Sequence, residues 1–158
     1  IHQKSLKMKK IFIYVEFIAY LLGLANIIIG VLTYVDIHFI ISYEKEKVSG
    51  STVGVGGWTS LFSLLSLLFI YKFKLVMMKI CQFLLFLSGV YHLYIGGSLI
   101  YINHHYDDVK YDLLDHLLIV RNDLSPLLHI GILYLVSGFF EIVGVFLSCC
   151  VKDDKGAQ

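Results

Sequence analysis

The stretch IFIYVEFIAYLLGLANIIIGVLTYV, residues 11–35, decides the fold. It is apolar almost throughout, and at ~1.5 Å rise per residue a helix of this length crosses the hydrocarbon core of a bilayer. Glu16, Ala19, Gly23, Asn26, Gly30 and Thr33 recur in it at alternating spacings of three and four, which keeps them on one helix face. Small residues allow close approach of helix backbones, and a carboxyl or amide inside a membrane needs a partner. This segment is therefore expected to pack against other helices along a seam of small and polar groups.

Composition extends that reading to the whole chain. Of 158 residues, 58% are hydrophobic and one is Pro, and the mean hydropathy is +0.77. A water-soluble domain of this size has no interior large enough for so much apolar surface, so lipid is the expected solvent. Three further apolar segments follow, at about 53–71, 80–102 and 127–151. The expected fold is an all-α membrane protein: a four-transmembrane-helix bundle, residues 11–151, with a basic tail at 1–10, another tail at 152–158 and two short outward loops. A cleavable leader is the competing reading of the basic start. The first apolar run is too long for one and lacks a small-residue cleavage site, and Met8 is a candidate start of the natural chain.

The charges orient the bundle. Lys4, Lys7, Lys9, Lys10, Lys72, Lys74, Lys79, Lys152 and Lys155 lie on one side, and only Lys45, Lys47, Lys110 and Arg121 on the other. The lysine-rich side, which holds both termini, is expected to be cytoplasmic. The opposite side carries Asp36, Glu44, Glu46, Asp107, Asp108, Asp112, Asp115 and Asp123. Cys81, Cys149 and Cys150 all fall near cytoplasmic ends of spans, which leaves no disulfide framework outside and makes them candidates for lipidation.

Between the spans, His38–Tyr43 and Val48–Val55 are β-branched or aromatic enough to predict a short strand or hairpin. Val109, Leu113, Leu117 and Val120 predict a surface amphipathic helix in the outer loop. Ser125-Pro126 is a good start for the fourth span. His104, His105, Asp107 and Asp108 match no strong metal-ligand spacing, and a solvated loop with no metal is favoured. No nucleophile–base set and no phosphate loop stands out, so no enzyme and no nucleic-acid partner is expected.

Small-polar seams recur on the other spans. The third aligns Gln82, Gly89, His92 and Gly96, and the fourth aligns Ser137, Glu141, Gly144 and Ser148. The second contributes Gly54, Gly57, Ser60, Ser63 and Ser66 less regularly. His92 and Glu141 both fall near the midplane, Glu16 is shallower, and Asn26 lies past the middle. A bare carboxylate at midplane costs on the order of 3 kcal/mol, so Glu141 is expected to be protonated or to pair with His92 or Asn26. These groups either stitch the bundle by hydrogen bonds or line a proton or ion pathway.

Glu16-x6-Gly23-x6-Gly30 followed by Asp36 resembles the first-span Asn-x6-Gly-x6-Gly pattern of the tetraspanins, with Glu16 in place of Asn. Glu141-x2-Gly144 followed by Cys149-Cys150 and Lys152 is similar to the end of that family's fourth span. His92 falls near a position where its third span carries Glu or Gln. The chain is short for the family and lacks its Cys-Cys-Gly large loop. The resemblance implies a non-enzymatic organiser that binds other membrane proteins laterally, with membrane lipid or a sterol among its helices. The alternatives are an accessory subunit of a channel, junction or organelle assembly, whose polar seams face its neighbours, and a small proton-coupled transporter.

Overall fold

The computed structural model describes residues 2–35, 42–72, 74–104 and 125–151. Those residues form four helices, α1 (His2–Val35), α2 (Ser42–Tyr71), α3 (Leu75–His104) and α4 (Ser125–Cys150). Each contains a segment long and apolar enough to cross a membrane: Lys7–Tyr34, Ser49–Tyr71, Leu75–Tyr101 and Leu128–Cys150. Four such spans suggest a multi-pass integral membrane protein. In lipid no water is at hand for backbone N–H and C=O groups, and a helix satisfies them within the segment.

That constraint corrects one expectation. Val48–Val55 is not a strand but part of α2, and the second span begins at Ser49 rather than Val53. The Ser49 hydroxyl donates to the Gly30 carbonyl at 2.6 Å, which ties this polar first turn to α1. The α2–α3 turn is also tighter than expected. Lys72 and Lys74 amides bond back to Leu68 and Phe69 carbonyls, and Met78 to Lys74, so α3 starts at Leu75. Helix α4 begins at Ser125 with Pro126 in its first turn, as the sequence predicts. Residues 36–41 and 105–124, with the outer-loop helix and most of the His104–Asp108 cluster, lie outside the described residues.

The helices pack in a ring, each against its two neighbours, with α1–α2 and α3–α4 the more extensive contacts. Every helix buries positions at alternating spacings of three and four. In α2 these are Ser49, Thr52, Gly56, Thr59, Ser63, Ser66 and Ile70, and in α4 Ile130, Tyr134, Ser137, Glu141, Gly144 and Ser148, continued by Val151. The mean period of 3.5 is that of left-handed helix packing, with crossing angles of about +20°. The stripe that opens in α1 at Glu16 is buried through to Thr33.

The bundle is polar within and apolar without. Tyr14, Phe17, Val76, Phe83, Tyr94, Phe139 and Phe146 project outward. Lipid tails are as apolar as these side chains, so nothing drives them inward, and van der Waals packing and hydrogen bonds hold the helices together instead. Close approach depends on glycine. A Cβ on Gly56 would lie 2.7 Å from the Gly23 carbonyl oxygen and 2.9 Å from the Ile27 amide. One on Gly96 would lie 2.8 Å from the Gly131 carbonyl oxygen. Glycine here seals α1 to α2 and α3 to α4.

Gly54 faces open space and is the natural control. Gly56→Ala is expected to destabilise the bundle by about 1–3 kcal/mol, because backbone has to move. Gly54→Ala should be neutral or stabilising by up to about 1 kcal/mol through helix propensity. Denaturation of the two variants in the same micelle makes the comparison.

Candidate functional site in the bundle interior

The buried stripes meet in polar layers between two apolar ends. The end nearer the termini is closed by Phe12, Ile70, Met78 and Val151, with Phe69, Leu75 and Leu147 packed on them. The opposite end holds Ile130 and Tyr134 against Ile29, Ile95 and Leu99.

Above the first apolar cluster, Glu16 of α1 meets Gln82 of α3 across the bundle. The Gln82 side-chain amide donates to Glu16 Oε1 and to Ser66 Oγ, both at 2.9 Å. Gly144 of α4 is what admits the carboxyl, since a Cβ there would collide with Glu16 Oε1. This accounts physically for a glycine at that point of the α4 stripe.

The next layer is built around Glu141. Its Oε2 lies 3.1 Å from His92 Nδ1, both side chains being fully buried. Thr59 Oγ1 donates to its Oε1, and Ser88 Oγ lies 3.5 Å from that oxygen. Gly89 stands opposite, where a Cβ would come within 3.3 Å of the carboxyl. The edge of the Tyr134 ring closes on the imidazole, with centroids 4.9 Å apart. Further along, Asn26 donates to Ser137 Oγ at 2.9 Å, and Tyr134 donates to Thr52 Oγ1 at 3.1 Å.

Of the two partners expected for Glu141, His92 is the one found. Asn26 is corrected: it bonds Ser137, the residue one turn from Glu141 on the same face of α4. Glu16 stays below this layer, as its depth predicts. Gly23 and Gly30 lie against Ser60 and Val53 of α2. Cys81 is buried, whereas Cys149 and Cys150 are exposed. On α2 the expected seam is partly displaced: Gly54 and Gly57 lie off it, and Ser49, Thr52, Gly56 and Thr59 hold it. Thr59 and Ser88, both on Glu141, went unnoticed in the sequence. Extending the α1 spacing rule to α2 from Ser66 backwards reaches Ser63, Thr59, Gly56 and Thr52 and finds the first of them.

Ser88, His92 and Glu141 have the residue types of a catalytic triad but not its wiring. A triad uses both ring nitrogens, one toward the acid and one toward the nucleophile. Here Ser88 and Glu141 both approach Nδ1. Among the described residues, five buried polar atoms are without a hydrogen-bond partner: Glu16 Oε2, Asn26 Oδ1, Ser63 Oγ, Gln82 Oε1 and His92 Nε2. Compared with known proteins, the chain matches no family model, no curated protein and no solved structure.

His92 and Glu141 should behave as one unit. His92→Leu or Glu141→Leu alone strands the other group, fully buried, without its partner, at an expected cost of about 1–3 kcal/mol. The double substitution removes both groups and should cost less than the sum of the two. A double-mutant cycle on detergent-solubilised protein measures the coupling.

Proposed function

We propose that this protein is a non-enzymatic membrane organiser that binds other membrane proteins laterally, in the manner of a small tetraspanin. The observation that carries this reading is how the polar groups are spent. The small and polar stripes of all four helices are turned inward and are met by one another. What the bundle offers its surroundings is an apolar, aromatic-rich wall. Such a wall meets lipid or the apolar flank of another membrane protein. A subunit whose polar seams face its neighbours is less well supported, because those seams are already occupied.

Both termini are placed in the cytoplasm on the strength of the lysine distribution. Cys149 and Cys150, exposed at the cytoplasmic end of α4, are then the acylation sites, and the buried Cys81 is not. Between α2 and α3 a groove of about 370 Å³ opens on Gly54, Val55, Trp58, Leu87, Ser88 and Tyr91. Its apolar lining suits a lipid or sterol. The transporter reading draws on the unpartnered interior atoms. The apolar cluster of Phe12, Ile70, Met78 and Val151 across the inner end weighs against it.

Photo-crosslinkers in place of Tyr94 and Phe146, two outward-facing side chains, provide the test in native membranes. The organiser reading expects adducts with several different membrane proteins. It also expects liposomes holding the purified protein to show no proton flux that Glu141→Gln alters. A single stoichiometric complex would make the protein a dedicated subunit, and flux abolished by Glu141→Gln would make it a transporter. Either result overturns the proposal.

A further inference from the structure

We propose that Glu16 and Gln82 bind a single proton between them, as a closed carboxylic acid–amide pair in the bundle interior. The argument is an inventory of donors and acceptors. A primary amide has two N–H donors and one carbonyl acceptor. Both donors of Gln82 are used, one on Glu16 Oε1 and one on Ser66 Oγ. What remains is Gln82 Oε1 and Glu16 Oε2, and both are unpartnered. Two acceptors cannot satisfy each other. A proton on Glu16 Oε2 converts one of them into a donor, and a bond from it to Gln82 Oε1 satisfies both.

The geometry is that of two planar groups already joined by one arm. Glu16 Oε1 and Gln82 Nε2 form the first hydrogen bond, and the unpartnered atoms are the second oxygen of the carboxyl and the single oxygen of the amide. Both groups border the same small space, since a Cβ on Gly144 would stand 3.5 Å from Gln82 Oε1 and 3.6 Å from Glu16 Cδ. The other orientation of the amide would set oxygen against oxygen and would need the same proton.

The surroundings offer no other counter-charge. Toward Glu16, α2 presents the hydroxyl of Ser66, with that of Ser63 a turn further along the same buried stripe, α3 the amide of Gln82 and the thiol of Cys81, and α4 Gly144 with Glu141 a turn away. Among the described residues no Lys or Arg is buried, and the one imidazole of this interior, His92, is taken up by Glu141. A metal ion such as Na⁺ or Ca²⁺ would need a shell of several oxygens, whereas two are unused here. A proton needs one donor atom and one acceptor atom.

Infrared spectroscopy of the purified protein in lipid nanodiscs at neutral pH tests this. The wild type is expected to show a carboxylic-acid C=O band that shifts in D₂O and loses one carboxyl equivalent per chain in Glu16→Gln. Glu16→Gln should fold, because two amides form the same closed pair, and its thermal midpoint should match the wild type. In Gln82→Met the band should persist but move, having lost its amide partner. The absence of any band difference between wild type and Glu16→Gln would overturn the proposal. So would a band that sodium ions abolish at constant pH, since Glu16 would then hold a cation instead.

Discussion

A polar group surrounded by hydrocarbon has to find its partner inside the protein, and the rest of this bundle depends on that constraint. It turns the usual arrangement inside out. Apolar residues, which lipid accepts as readily as a protein core does, are left on the surface, and the interior is chosen for size and hydrogen bonding. Each helix then needs a stripe narrow enough to be covered by two neighbours, and the alternating three/four spacing provides one.

Glycine and the carboxyls are complementary parts of this design. The carboxyl of Glu16 fills the space left by Gly144, and that of Glu141 lies over Gly89. In a bundle this closely packed, a carboxyl has room only where the facing helix has no side chain. The polar layers are thus fixed by volume as well as by hydrogen bonding. Changing the glycine displaces the acid as surely as changing the acid itself.

How much of this the sequence disclosed varies with how crowded each segment is. In α1, small and polar residues are few and stand out against Ile, Leu and Phe, so the whole stripe from Glu16 to Thr33 was legible. In α2, residues 49–66 contain so many Ser, Thr and Gly that more than one register is available. Only the contact of Gly56 with Gly23 and Asn26, a property of two helices together, selects one. The strand expected at Val48–Val55 failed for a related reason. Local β-propensity does not register the demand of lipid for internally bonded backbone. The pairing of Glu141 with His92 was narrowed to two candidates by depth alone. The cross-bundle bond of Glu16 to Gln82 was not, because no spacing within one helix reveals which helices lie diagonally opposite.

The division of the ring into two extensive and two lesser contacts bears on how the molecule is assembled. Helices α1 and α2, and likewise α3 and α4, form glycine-closed hairpins that follow one another in the chain. The bonds Glu16–Gln82, Thr59–Glu141, Asn26–Ser137 and Tyr134–Thr52 each join one hairpin to the other. The His92–Glu141 pair lies within the second. Two hairpins lying apart in the bilayer would each expose half of a polar lattice to lipid. In the bundle the two hairpins quench those groups against each other, and the cross-bonds act as a latch between the halves.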